Sequence, residues 1–451
     1  MEPGMRDESF FGHPRGLAVL SLTEGWIGFS LYGMQSLLML YMTGFLLLPP
    51  HVGHVLGLDA LRTAMRPVYG TLQGEPLASA IMGLFVALIW ASPVLGGLLA
   101  DRWLGRTRTI VLGCVLMTAG HFLMAFDASF LLALLCLIIG IGLGACTRAQ
   151  VGGLYAPDDK RRADAFQIYQ LGVSVAVILA PLICGTLGES YHWHWGFAAA
   201  GVGMLIGLVV YLAGRRTLPP EPARRSRGAG SLTRDDRKTV TLLLLLLPVI
   251  ALTMVGNTQI FNAYMVWGQA NYRLDFFGHT MPVSWLLSLD AASGVPTTFM
   301  VLAFWHWWTR RYGMVGELGR MVAGAAVLAV APLILAVASW NDAGRHAIGL
   351  QWGLAFHVIN SIGFTSLYPI GMSLYSRLAP QALGATMVSS YALCLFLSNL
   401  LVGWLGGLLV TMPGTTFWLL HAGLVATGAL LLVAAAMLSP RLVAASEHAP
   451  A

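Results

Sequence analysis

Residues Gly97 to Arg108 read GLLADRWLGRTR, a short charged stretch set between two runs that are almost wholly apolar. The runs on either side, 77–100 and 107–126, each supply roughly the 20 residues that a membrane-crossing helix needs. One acid and three arginines confined to so short a turn fit a cytoplasmic connection between two spanning helices, because Lys and Arg are held back on that side of a membrane. The glycines would let helices approach closely. Asp101 at a helix end, with Arg102, Arg106 and Arg108, would form a charge latch between neighbouring helices.

The same pattern extends through the rest of the chain. Of 451 residues 57% are hydrophobic and 10% charged, against about a quarter charged in an ordinary soluble chain. Too little polar surface remains to face water on all sides, and lipid is the expected solvent. Twelve apolar spans are predicted, at 17–48, 77–100, 107–126, 129–151, 165–187, 194–214, 240–268, 283–308, 318–339, 348–376, 383–409 and 414–437. With a cytoplasmic N-terminus, the inside loops and tails carry 21 of the 26 Lys and Arg, the outside loops four, and Arg148 lies at the end of the fourth span. That asymmetry predicts a multi-pass inner-membrane protein with both termini in the cytoplasm. Residues 215–239, with PPEPARRSRGAG inside them, read as a basic cytoplasmic linker between two six-helix halves, 1–214 and 240–451. Residues 48–76 read as a loop with one short amphipathic helix. Met1 to Pro14 has no apolar core followed by a cleavage site, so no cleaved signal peptide is expected. The five cysteines lie in apolar runs without CxxC spacing, and neither disulfides nor a metal is expected. The net charge of +6 follows from the inside loops, so nucleic acid is not an expected partner.

The stretch Gly97-Leu-Leu-Ala-Asp101-Arg102-Trp-Leu-Gly105-Arg106-Thr-Arg108 is similar to the cytoplasmic signature of the major facilitator superfamily. Four further stretches resemble its proton-dependent oligopeptide transporter family. They are Gly16 through Gln35, with Thr23-Glu24 inside it, Gly153 through Phe166, Phe277 through Asp290, and Gly363 to Pro369 followed by Gly371-Met-Ser373 and Leu378-Ala379-Pro380. The resemblance implies an all-α major facilitator fold of twelve transmembrane helices in two six-helix bundles. It implies secondary active transport by alternating access, with a site near the membrane midplane. The implied substrates are small and peptide-like, with protons as the coupling ion, and no cofactor is implied.

The family's charged residues are mostly replaced here. The two acids and arginine of its E-x-x-E-R motif fall on Glu24, Ile27 and Gly28. The later arginine falls on Gln35, the fourth-helix lysine on Gly144, the fifth-helix asparagine on Ser174 and the tenth-helix glutamate on Phe364. Three ionisable residues remain in or near the membrane, where charge is costly enough to suggest function. Glu24 is the retained acid. Arg148 lies one turn beyond Gly144 on the same face, and a Glu24–Arg148 pair across helices one and four is the expected contact. Asp290 adds an acid where the family has an asparagine. These three are the proton-coupling candidates. Tyr32, Gln35, Trp90, Ser174, Asn257, Gln259, Trp285, Asp290, Phe364 and Ser390 are the substrate-cavity candidates. His121, His306, His357 and His421 lie on separate spans without metal-ligand spacing, and read as interhelical hydrogen-bonding or interface residues. The glycines from Gly140 to Gly144 read as close-packing residues of a span, not a phosphate loop.

No hydrolase, nucleotide-binding or metalloprotease pattern is present, so an enzyme is not expected. Two alternatives stay open beside peptide transport. One is a transporter of a non-peptide apolar or cationic solute, anchored by Asp290. The other is a non-transporting receptor or partner subunit of a membrane complex, and the aromatic block Phe299 to Trp308 could serve either a transporter or such a partner.

Overall fold

A computed structural model describes residues 10–156, 159, 161–221, 233–380 and 383–438. The centre of the predicted linker, and Pro157, Asp158 and Lys160 of the fourth-to-fifth connection, lie outside these. The described chain is built from long helices, with one two-stranded hairpin that pairs Asp275 with Thr280 and Phe276 with His279. Its turn, Phe277 and Gly278, has positive φ at both residues, the conformation that two-residue hairpins favour.

Nine helices among the described residues are long and apolar enough to cross a membrane. The other three expected spans are the continuous helices Arg15–Tyr41, Arg106–Leu123 and Leu350–Leu378. Among the described residues the first span buries the most polar side chains, with Ser21, Thr23, Glu24, Ser30 and Gln35 among them, and the tenth buries His357, Asn360, Ser361 and Ser366. Polar groups placed in a span face the protein interior.

The chain forms two compact units. The first comprises residues 1–71 and 91–226. Its close contacts rest on glycine: a Cβ at Gly96 would lie 2.0 Å from the Gly142 carbonyl oxygen, and one at Gly140 would lie 2.8 Å from that of Gly113. The fourth-span glycines are therefore packing residues. The close approach is made by Gly96, one residue ahead of the signature stretch, whereas Gly97, from which it was expected, has open space where a Cβ would be. Gly105 takes φ +79 to turn the chain into the third span. The predicted amphipathic helix is present as Leu58–Tyr69, preceded by a single turn at Pro49–Val52.

The second unit comprises 72–90 and 227–451. Residues 72–90 group with it because Ser79 donates to the Gly403 carbonyl at 3.0 Å, Asn262 Nδ2 donates to the Ser79 carbonyl at 3.0 Å, and Gly83 faces the Gly403 backbone. Its apolar core gathers Leu246, Ile250, Met254, Leu328, Leu367 and Leu374 with Tyr375 and Tyr391. The helix of the seventh span starts at Arg234, ahead of the apolar run. There Thr233 and Asp236 form a reciprocal capping box, which satisfies two of the backbone donors left over at a helix start.

Among the described residues the fourth, seventh and eleventh spans are interrupted, a feature the hydropathy does not reveal. The fourth is Phe130–Gly144 followed by Thr147–Gly153. The seventh is Arg234–Thr258, a 3₁₀ turn Gln259–Phe261, then Ala263–Asn271. The eleventh divides at Ala392 into Gly384–Tyr391 and Leu393–Gly406. Interrupted backbone is tolerated in a membrane only where side chains or neighbouring helices satisfy the freed groups.

Candidate functional site

In the first unit, Glu24 is buried on the first span, and the break in the fourth span is what reaches it. Thr147, the first residue after the break, donates its hydroxyl to Glu24 Oε2 at 2.9 Å and lies 3.1 Å from the Gly144 carbonyl oxygen. The same hydroxyl is 2.8 Å from the Tyr169 hydroxyl of the fifth span. Three helices thus converge on one carboxylate. Arg148, next in sequence, brings Nη2 to 4.0 Å from Glu24 Oε1, with 66% of its own side chain exposed. The structure brings the predicted pair together, but at the outer limit of an ion pair, with neutral hydroxyls making the short contact. Tyr32 lies within electrostatic range of both Glu24 and Arg148. Gln35 is buried further along the same helix, while Ser174 bonds within its own helix, to the Gln170 carbonyl at 3.2 Å.

In the second unit, Asp290 is half-buried on the eighth span, and its Oδ1 lies 2.8 Å from His357 Nδ1 on the tenth. His357 is fully buried, and its other ring nitrogen, Nε2, is 2.9 Å from the Tyr264 hydroxyl of the seventh span. That hydroxyl is in turn 3.3 Å from the Tyr272 hydroxyl. Gly353 makes room here, since a Cβ there would lie 3.0 Å from the Tyr272 oxygen. The result is a four-residue chain from a half-exposed carboxylate, through a buried imidazole, to two buried phenols.

The remaining cavity candidates of this unit are scattered. Phe364, where the family's glutamate is expected, stacks on Tyr368 with ring centroids 5.3 Å apart, and Tyr368 continues to Tyr391 at 5.1 Å. Trp90 is half-buried against the core of this unit. Gln259 is fully buried, and among the described residues neither of its amide atoms has a partner. Asn257 is half-buried, Trp285 is 37% exposed, and Ser390 bonds to the Met387 carbonyl of its own helix. Phe299 and Trp307 of the aromatic block are exposed.

At the signature turn, Asp101 and Arg102 are exposed on a π-helical turn, Ala100–Leu104, and Arg108 is exposed just beyond it. Arg106 donates to the Ala149 carbonyl at 3.2 Å. The acid that engages this turn comes from a place the motif does not include. Glu221 accepts from the backbone N–H groups of Arg106 at 2.9 Å and Thr107 at 2.8 Å, and so caps the third span. Partial burial pushes the Glu221 carboxyl up, but those N–H groups outweigh it and hold the group below the ordinary range.

Thr147, Tyr169, Tyr264, Tyr272 and Glu221 were not among the predicted site residues, and His357 was read as an interhelical hydrogen-bonding residue. Their signal in the sequence is weak, because hydroxyls and a lone histidine on a span serve helix packing as readily as a site. Among the described residues no group of acids, histidines and cysteines is arranged to hold a metal, and the five cysteines are unpaired.

Comparison with known proteins agrees with this architecture. The family profile described as Major Facilitator Superfamily matches residues 29–403. A di-/tripeptide transporter of Lactococcus lactis subsp. lactis (strain IL1403) is 29% identical over 427 residues, covering 90% of this chain and 77% of the relative. The peptide transporter YePEPT of Yersinia enterocolitica subsp. palearctica serotype O:3 (strain YE-P4) is 36% identical over 217 residues, 46% of this chain and 38% of its own. Among solved structures, a mutant of the peptide transporter POT in complex with alafosfalin superposes with a TM-score of 0.80 at 25% identity, covering 97% of both chains. These are families of multi-pass membrane transporters rather than a class of enzymes. Matching helices, signature turn and full-length likeness together place the chain in the Major Facilitator Superfamily, as a member of its oligopeptide transporter (POT) family.

Proposed function

We propose that the protein is a secondary transporter that takes up small peptides or peptide-like solutes by alternating access, with inward movement of protons as the driving reaction. The observation that carries this reading is likeness along nearly the whole chain to a di-/tripeptide transporter. Two carboxylates hydrogen-bonded between helices, Glu24 and Asp290, support it. Such groups are expensive in a membrane and mark solute or proton paths by default. We place the protein in the bacterial plasma membrane with both termini cytoplasmic, following the Lys and Arg asymmetry of its loops. The signature turn would then lie on the cytoplasmic side as part of the gate.

The test is uptake of a mixed di- and tripeptide library into proteoliposomes under an imposed inward proton gradient, with Glu24→Gln and Asp290→Asn beside the wild type. Gradient-driven uptake that either substitution abolishes is the expected result. Absence of uptake of every peptide by correctly inserted protein would overturn the peptide reading. One observation favours a changed substrate in that event: Phe364 occupies, in an aromatic stack, the position where the family has a carboxylate. An apolar or cationic solute would suit that surface better than a zwitterion. A non-transporting partner role would be left only if such solutes failed too.

A further inference from the structure

We infer that Asp290 and His357 form the proton-binding pair of the second unit, with Tyr264 and Tyr272 as a reorientable hydroxyl chain. The inference rests on the proton-driven reading above and names the groups that would carry the proton. Both ring nitrogens of His357 are engaged, by carboxylate at 2.8 Å and by phenol at 2.9 Å, and the imidazole has no exposed surface. Any buried imidazole needs a partner at each nitrogen, and what sets this one apart is that one of the two is a partly exposed carboxylate. An imidazole linking an acid to a hydroxyl has the connections for taking up and giving back a proton.

The bookkeeping closes on these four residues. Without the added proton the pair carries one negative charge. His357 is then neutral, donating Nδ1–H to Asp290 and accepting the Tyr264 O–H at Nε2, and Tyr264 accepts from Tyr272. With the added proton on Nε2 the pair is an imidazolium and a carboxylate of zero net charge. His357 then donates on both sides, and Tyr264 turns to donate to Tyr272. Both states keep every bond of the chain filled and need only hydroxyl rotation. A proton taken up at the Tyr272 hydroxyl reaches Nε2 as Tyr272 and Tyr264 each pass on their own, and one leaves through Asp290, 25% exposed at its side chain, which accepts it from Nδ1.

Among the described residues few other titratable groups face the pair. From the seventh span these are Tyr264 and, beyond it, Tyr272; from the eighth, Asp290 itself. From the twelfth, His421 is held on its own helix, with Nδ1 2.8 Å from the Phe417 carbonyl. Ser293, which is 3.2 Å from Ser361, ties the eighth span to the tenth beside the pair without titrating.

The test measures dialanine uptake into proteoliposomes as a ratio, with an inward gradient of about one pH unit over no gradient, for wild type, His357→Gln, Asp290→Asn and Tyr264→Phe. One pH unit stands for a tenfold ratio per coupled proton. A wild-type ratio near ten that falls toward one in His357→Gln and Asp290→Asn, and by several-fold in Tyr264→Phe, is the expected result. A purely structural role would lower uptake with and without the gradient alike and leave the ratio unchanged, and that outcome overturns the pair. If His357→Gln fails to insert, an unchanged ratio in Asp290→Asn and Tyr264→Phe overturns it equally. A wild-type ratio of one would instead break the proton-driven reading itself, and the pair with it.

Discussion

Glu24 and Asp290 pose the same problem, a carboxylate on a membrane helix, and the two units answer it in opposite ways. Around Glu24 the acid is buried, the short contact is a neutral hydroxyl, and the cation is an exposed arginine 4.0 Å away. Around Asp290 the acid is half-exposed, and its partner is a fully buried base at 2.8 Å. A hydroxyl can satisfy a carboxylate without changing charge, whereas an imidazole can change charge with it. The first arrangement therefore fits a fixed anchor and the second a switch.

The largest effect expected from breaking this contrast is in the second unit. His357→Leu takes the imidazole partner from both the Asp290 carboxylate and the Tyr264 hydroxyl, and each polar group left unsatisfied costs about 1–3 kcal/mol. Chemical unfolding in mixed micelles should register both losses. In the first unit, Thr147→Val removes the hydroxyl that bridges Glu24 and Tyr169, for which about 1–3 kcal/mol is expected in the same measurement. Arg148→Gln should cost less than about 1 kcal/mol, as befits an exposed, long ion pair. Should Arg148→Gln prove costlier than Thr147→Val, Glu24 is held by charge after all, and the contrast between the units fails.

The smallest effect belongs to the Glu221 cap. Because its carboxyl is held low in the folded state, its contribution is present above the unfolded carboxyl value and is lost as pH falls through the folded one. Glu221→Gln should cost about 0.5 kcal/mol or less at neutral pH. The difference from wild type should disappear on acidification, and a difference constant across that range would show that the carboxylate does not act as the cap.

Much of this arrangement can be read from the residues in order. Apolar runs of span length, the asymmetric arginines and the GLLADRWLGRTR turn specify a multi-pass transporter, because the bilayer imposes length and polarity one segment at a time. Glu24, Arg148 and Asp290 also stand out locally, since any charge within an apolar run does. Helical periodicity was enough to put Arg148 on the face expected to meet Glu24. The partners of those charges are a different matter. Thr147 matters because the fourth span breaks at 145–146 and carries its hydroxyl to a residue 123 positions away. His357 is one of several histidines on spans until the eighth and tenth helices pack, and Glu221 is one acid in a linker until it folds back on Arg106 and Thr107. Hydropathy is a property of each residue and its near neighbours, so order along the chain suffices for it. Which donor meets which acceptor is a property of helix packing and of where helices break, and it exists only once distant segments are in contact.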